Sequence, residues 1–139
     1  MAHQLRWYGR EVEAQTLDNT SRAMGRFGLE VEREAKLQLR KGHGVVTGTL
    51  RRSIHCANPT YNWAGDNVEP SAGAPERGGS MILPLLMGNR LILSVGSGLE
   101  YALPVHNGHH SFGGYAYLTI GLERAYPRLA NILRQYANE

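Results

Sequence analysis

Residues 17–42, LDNTSRAMGRFGLEVEREAKLQLRKG, decide the fold of this sequence. Their apolar residues recur at intervals of three, four and seven, which is the periodicity of one helix face. These positions are Leu17, Met24, Phe27, Val31, Ala35 and Gln38 or Leu39. Asp18 and Thr20 are candidate N-caps, and Gly42 is a typical C-terminal stop. The spacing predicts a helix over about residues 17–41.

A second helical pattern covers about residues 117–138. Its apolar residues share one helix face. They are Leu122, Ala125, Leu129, Ile132, Leu133 and Tyr136. Pro127 lies inside the pattern, and proline lacks the N–H that the helix needs and clashes with the preceding turn. The sequence therefore predicts a kink at Pro127 or a second helix that starts there.

A β-hairpin pattern lies between these two helices. The apolar runs 81–87 and 90–96 flank Gly88-Asn89, and this pair suits a two-residue turn with positive φ. Pro84 cannot donate to a β-ladder, so it breaks the first strand or places it at a sheet edge.

Two further strands are predicted from shorter patterns. Residues 5–14 alternate on either side of Gly9, which predicts a short strand with a bend there. Residues 53–56 predict a strand that follows a turn beginning at Thr49. The expected fold is therefore α+β: a long N-terminal helix and a C-terminal helix packed on a small, mainly antiparallel sheet, with a long loop beside the hairpin.

Length and composition predict one domain over residues 1–139. The chain is 42% hydrophobic and 19% charged, and its 139 residues are too few for two independent cores. The longest apolar run, 81–87, is much shorter than the roughly 20 residues of a transmembrane helix. Residues 1–15 lack the apolar region of a signal peptide. We therefore expect a soluble protein that assembles in the cytosol and has no membrane partner.

The charge distribution leaves two interpretations open. Residues 1–55 hold ten Lys or Arg and six Asp or Glu, whereas residues 56–139 hold five and six. On the predicted long helix, basic residues are mixed with Glu30, Glu32 and Glu34, which favours a solvated helix face over a nucleic-acid contact. The alternative is a small basic nucleic-acid-binding protein, for which salt-dependent DNA binding is the test.

Residues 57–80 predict a long irregular loop. This loop of 24 residues includes four Gly and three Pro, and loops of this length are usually functional or disordered. Tyr61 and Trp63 are large apolar residues within it. The loop is predicted either to be mobile in solvent or to order on a partner, with Tyr61 and Trp63 as anchors.

The candidate catalytic and metal-binding residues do not form a recognisable set. His106, His109 and His110 are close in sequence, but zinc needs three or four converging ligands, and no Asp or Glu lies among them. The single cysteine, Cys56, lies in an alternating stretch, which favours a small buried hydrophobe over a reactive thiol. We therefore expect no catalysis, no cofactor and no small-molecule substrate. A metal-dependent hydrolase around residues 106–110 is a third interpretation.

Arg51 and Arg52 precede the predicted strand that begins at Ser53. Planar guanidinium groups at this position can clamp carboxylates of a neighbouring chain. They can equally cap carbonyl groups of their own chain. Both alternatives remain open at this point.

Two stretches of the sequence resemble a known family. Residues 47–54 read TGTLRRSI, and residues 95–108 read VGSGLEYALPVHNG. Together with a preceding and a following helix, their order is similar to that of the tail-completion (neck, or head–tail connector) proteins of long-tailed bacteriophages. The resemblance covers about residues 29–137. The matching positions are Thr47, Gly48, Leu50, Arg51, Ser53, Ile54, Val95, Gly96, Ser97, Tyr101, Ala102, Val105 and Gly108.

The resemblance implies a structural role rather than an enzymatic one. Proteins of this family form a ring, commonly sixfold, where the tail tube meets the head. The implied partners are other copies of the chain, the tail terminator, the tail tube and the head-completion (stopper) protein. The implied location is the virion neck, after assembly in the cytoplasm of the host bacterium. The residues expected at intersubunit contacts are Arg51, Arg52, Tyr61 and Trp63, and those expected to pack the sheet on the long helix are Leu50, Ile54 and Val95.

Overall fold

The computed structural model describes residues 9–41, 44–45, 49–66, 78–99, 108–109, 112–113 and 116–137. The helices are α1 (Gly9–Gln38), α2 (Thr49–Ser53), α3 (Tyr117–Ala125) and α4 (Leu129–Ala137), with short 3₁₀ turns at Trp63–Asp66 and Tyr126–Arg128. The strands are β1 (Arg40–Lys41), β2 (Gly44–Val45), β3 (His55–Ala57), β4 (Leu85–Met87), β5 (Arg90–Ile92), β6 (Ser94–Gly96), β7 (Gly108–His109) and β8 (Phe112–Gly113). The predicted α+β class is confirmed.

Helix α1 extends further towards the N-terminus than the sequence predicts. It begins at Gly9 rather than near Leu17. The strand predicted for residues 5–14 is therefore wrong for residues 9–14, which are helical. Residues 1–8 lie outside the described residues. Side chains from residue 13 to residue 18 are exposed, so no buried face imposes alternation there, and helix-favouring Glu and Gln determine the conformation.

The predicted helix caps are also corrected. Asp18 and Thr20 lie inside α1, so neither is an N-cap. Asp18 instead accepts a hydrogen bond from Arg22 Nε at 3.2 Å, which is an i,i+4 pair on an exposed helix surface. Helix α1 ends at Gln38 rather than at residue 41, and Lys41 belongs to a short strand that pairs in parallel with β2.

Three buried carboxylates on α1 correct the prediction of a solvated charged face. Glu30, Glu32 and Glu34 are buried because groups from distant segments cover them. Arg128 donates hydrogen bonds to Glu30 Oε2 and Glu34 Oε1, both at 2.8 Å. The Gly79 N–H donates to Glu32 Oε2 at 2.9 Å. These bonds tie α1 to the C-terminal helices and to the segment that leads into the hairpin.

The described strands form two-stranded pairs. Strands β4 and β5 form the predicted hairpin, in which Leu85 pairs with Ile92 and Gly88 in the turn has a φ of 65°. Strand β4 begins directly after Pro84, as the predicted break requires. The following run divides at Leu93, because β6 pairs with β3 instead of extending the hairpin.

The segment before β3 differs in detail from the prediction. The expected turn at Thr49 is the short helix α2, and the strand begins at His55 rather than at Ser53. The Ser53 hydroxyl donates to the Leu50 carbonyl at 2.6 Å. Such a local bond from a side chain to the backbone holds Ser53 in the helical turn, so the strand begins two residues later, at His55.

The C-terminal helices and the core agree with the prediction. Pro127 lies in the 3₁₀ turn that separates α3 from α4. The buried apolar cluster consists of Ala35, Leu39, Leu50, Ile54, Leu99 and Tyr117, with Val95 and Leu118 packed against it. The predicted packing of Leu50, Ile54 and Val95 against α1 is therefore confirmed.

Candidate functional site

The two stretches that carry the family resemblance lie side by side. Strand β3 pairs antiparallel with β6, with Cys56 opposite Val95. The Ser53 and Ser97 hydroxyls are 2.6 Å apart. Because the single Ser53 proton goes to the Leu50 carbonyl, Ser97 donates to Ser53, and Ser97 in turn accepts the Leu99 N–H at 3.2 Å. This relay joins the two stretches inside the fold.

The matched positions that the structure describes are largely structural. Leu50, Ser53 and Ile54 are buried, and the family-motif residue Gly96 is buried at the end of β6. Gly98 follows it, and a Cβ on Gly98 would overlap the Trp63 carbonyl, so only glycine permits this approach. Thr47, Gly48, Tyr101, Ala102 and Val105 lie outside the described residues, and Gly108 begins β7.

An aromatic cluster that the sequence pattern does not predict surrounds His55. The Trp63 ring stacks on the His55 ring with centroids 4.8 Å apart, and the Tyr61 ring meets His55 edge-on at 5.0 Å. Buried Asp66, only 3% exposed, places Oδ2 2.5 Å from His55 Nε2 and accepts a hydrogen bond from the Tyr61 hydroxyl. Tyr61 and Trp63 therefore contact their own chain, although Tyr61 remains 37% exposed.

Each of the two ring nitrogens of His55 has a hydrogen-bond partner within the chain. Nδ1 lies 3.0 Å from the Cys56 carbonyl, and because a carbonyl only accepts, Nδ1 is the donor. One further proton, on Nε2 or on Asp66, then makes the second bond. Both ring nitrogens are thus engaged inside the chain. This arrangement anchors the 3₁₀ turn to β3 and leaves neither nitrogen directed at solvent as a free base.

A groove of about 630 Å³ opens beside this cluster. Its lining includes His55, Asn58, Thr60, Tyr61, Ser80 and Ile82. Cys56 also borders the groove, but burial, together with the charge and hydrogen bond of Glu32, raises the pKa of its thiol to about 12. The thiol is therefore un-ionised at neutral pH, which confirms the prediction of a small buried hydrophobe.

Arg51 and Arg52 lie exposed on α2. Arg51 Nη1 donates a long hydrogen bond of 3.5 Å to the Leu39 carbonyl, so the local capping alternative is realised for this residue. Arg52 makes no hydrogen bond or ion pair within the described part of the chain. Contact of either arginine with a neighbouring chain stays a prediction.

Neither a metal cluster nor a membrane span is found where the structure can be searched. Across the described ranges, no three His, Cys, Asp or Glu side chains come together as metal ligands. The histidine side chains at positions 106, 109 and 110 lie outside that search. No helix among the described residues is both long enough and apolar enough to cross a bilayer.

Comparisons with known proteins add no assignment. Neither a family model, nor a curated protein, nor a solved structure matches this chain. The functional conclusion therefore rests on the sequence resemblance and on the physical organisation described above.

Proposed function

We propose that this chain is a structural subunit of the virion neck in a long-tailed bacteriophage, a tail-completion or head–tail joining protein that assembles as a ring. The observation that carries the proposal is the pairing of the two motif stretches. TGTLRRSI and VGSGLEYALPVHNG are separated in sequence, yet Ser53 of the first meets Ser97 of the second at 2.6 Å. Strand β3, which directly follows the first stretch, pairs with β6, which contains the first two residues of the second. A motif whose parts build one unit is more specific than two unrelated short matches.

Exposed apolar side chains support an assembling role. On the hairpin, Leu86, Met87 and Ile92 are exposed, and on the C-terminal helices Leu122 and Tyr126 are exposed. Contiguous exposed apolar surface on a small domain marks sites of protein contact. The proposed partners are other copies of the chain in a sixfold ring, together with the tail terminator, the tail tube and the head-completion protein. The proposed subunit has no cofactor and no catalytic role, and it assembles in the host cytoplasm.

The nucleic-acid-binding alternative has less support. Several arginines of α1 are neutralised within the chain, because Arg26 pairs with Glu30 at 2.8 Å and Arg22 pairs with Asp18 at 3.2 Å. Cations that already neutralise carboxylates release few counterions from DNA. Other exposed arginines, however, pair with no carboxylate in the described part of the chain, among them Arg51, Arg52, Arg90 and Arg124.

Quantitative mass spectrometry of purified virions tests the proposal. The chain is counted against the major tail-tube protein in particles of the phage that encodes it. A ring subunit should be present at about six or twelve copies per particle, as the commonly sixfold rings of the family it resembles imply. If the protein is abundant in the lysate and missing from the virions, the neck assignment is wrong, and salt-dependent DNA binding becomes the first experiment.

A further inference from the structure

The β4–β5 hairpin has an outer face that no other described element covers. Side chains directly opposite each other in an antiparallel pair share a face, so Leu85, Met87, Arg90 and Ile92 lie together. Met87 is 49% exposed and Ile92 is 36% exposed, and Arg90 is exposed as well. The other hairpin face, with Leu86, borders α1 instead. We call the first surface the hairpin outer face.

A second apolar surface runs along the C-terminal helices. Leu122 on α3, Tyr126 in the 3₁₀ turn and Leu133 on α4 are exposed large hydrophobics. Leu122 is 47% exposed, and Tyr126 is 64% exposed. Ala130, also exposed, lies three residues before Leu133 and therefore on the same side of α4. We call these four residues the helix stripe.

The two surfaces carry opposite charges at their margins. Arg90 stands beside Met87 on the hairpin outer face, and Glu123 follows Leu122 beside the helix stripe. Neither Arg90 nor Glu123 makes an ion pair or hydrogen bond within the described part of the chain. Arg52 and Arg124 are likewise exposed without an ion pair in the described part of the chain, whereas Arg26 and Arg33 pair with Glu30 on α1. The unpaired cation and anion therefore complement each other across two separate apolar surfaces.

We propose that the hairpin outer face of one copy of this chain packs on the helix stripe of the next copy, with Arg90 paired to Glu123 across the contact. A contact between two different surfaces is heterologous, and such contacts generate rings when their rotation closes. The closed ring rests on the proposed neck function. The contact itself rests on the two surfaces and their charges.

Cysteine cross-linking tests which surfaces meet. The native Cys56 is buried and un-ionised, so it leaves added cysteines as the reactive thiols. The full chain is prepared as Met87→Cys and, separately, as Ala130→Cys, and each is treated with a short bismaleimide alone and in an equal mixture. The proposal expects a cross-linked dimer in the mixture and none in either variant alone. Linkage of Met87→Cys to itself, or no linkage in the purified protein and in virions, overturns the contact.

Charge reversal tests the ion pair. Arg90→Glu and Glu123→Arg should each weaken self-association by about tenfold or more, because like charges then face each other across the contact. The double variant Arg90→Glu/Glu123→Arg should recover to within about threefold of wild type, measured by native mass spectrometry. Arg124→Glu is the matched control, because Arg124 lies on the opposite side of α3 from the helix stripe, and it should leave association unchanged. A double variant as defective as the single variants refutes the pairing.

The two proposals fail in different ways. If wild-type chain is present in virions at ring stoichiometry but the double variant does not recover, the neck function stands and the contact is wrong. If the cross-link and the recovery occur but virions lack the chain, the contact stands and the neck function is wrong.

Discussion

Gly121 of α3 packs directly on the backbone of α1, and a single methyl group there should destabilise the protein. A Cβ at Gly121 would lie 2.7 Å from the backbone nitrogen of Ala35 on α1, 2.9 Å from its Cα and 3.0 Å from its Cβ. Two of these atoms belong to the helix backbone and the third is a Cβ fixed to it, so no side chain can rotate away. Gly121→Ala therefore forces α3 outward from the helix that carries the core.

The magnitude follows from two opposing terms. Alanine favours a helix over glycine by about 1 kcal/mol, which would stabilise the variant if space allowed. Overpacking a close interface costs about 1–3 kcal/mol, and rigid contacts with two backbone atoms and the Cβ of Ala35 favour the upper part of that range. Moving α3 away from α1 also strains the hydrogen bonds that Arg128 donates to Glu30 and Glu34, because these bonds depend on the spacing of the helices. The expected net loss is about 1–2 kcal/mol.

Urea unfolding followed by circular dichroism measures this loss. Ala14→Gly, at an exposed position inside α1, is the control for helix propensity alone, with an expected loss of about 1 kcal/mol. Gly28→Ala is the packing control, because its Cβ would meet the end of the flexible Leu93 side chain at 2.6 Å and should be better tolerated. A Gly121→Ala protein as stable as wild type, or more stable, refutes the reasoning.

Three further predictions concern buried polar groups. Asp66→Ala should lower the free energy of unfolding by about 1–3 kcal/mol, because it removes a buried hydrogen-bond partner, and an unchanged urea midpoint would contradict this. Burial raises the pKa of Cys56 from 9.0 to about 12, so the thiol of the unfolded chain loses its proton at lower pH than that of the folded chain. The free energy of unfolding of wild type relative to Cys56→Ala should therefore fall as the pH rises between those two values. Parallel pH profiles of the two proteins would refute this. Arg128→Ala should lower the urea midpoint, and Arg128→Lys should not restore it, because one ammonium lacks the planar fork that reaches both Glu30 and Glu34; full recovery with lysine would contradict this account.

The elements that were predicted correctly depend on local pattern. The repeat through Phe27, Val31 and Ala35, the turn residue Gly88 and the break at Pro127 all act within a few residues. The N-terminal strand failed because its alternation had no buried face to enforce it. Exposed residues followed helix propensity instead, and α1 begins at Gly9.

The candidate site was less predictable because its contacts join distant segments. Asp66 lies 11 residues from His55 in a loop without periodicity, so nothing in the spacing marked them as a pair. Glu32 looked like part of a solvated helix face, yet Gly79 donates to it from 47 residues away. Gly98 is a sequence feature that indicates this site, because a glycine shortly after a strand is typical of a close approach by another backbone segment, here that of Trp63.

The position of the motif residues indicates where partner specificity must lie. Leu50, Ser53, Ile54 and Gly96 are buried and bonded within one chain, so their substitution perturbs folding before it perturbs assembly. A loss of assembly in such a variant therefore identifies no contact. Residues that are exposed, apolar and outside the motif, such as Met87, can change without loss of the core. If the chain forms a ring, the motif supplies a stable subunit, and the hairpin outer face and the helix stripe determine which neighbour it accepts.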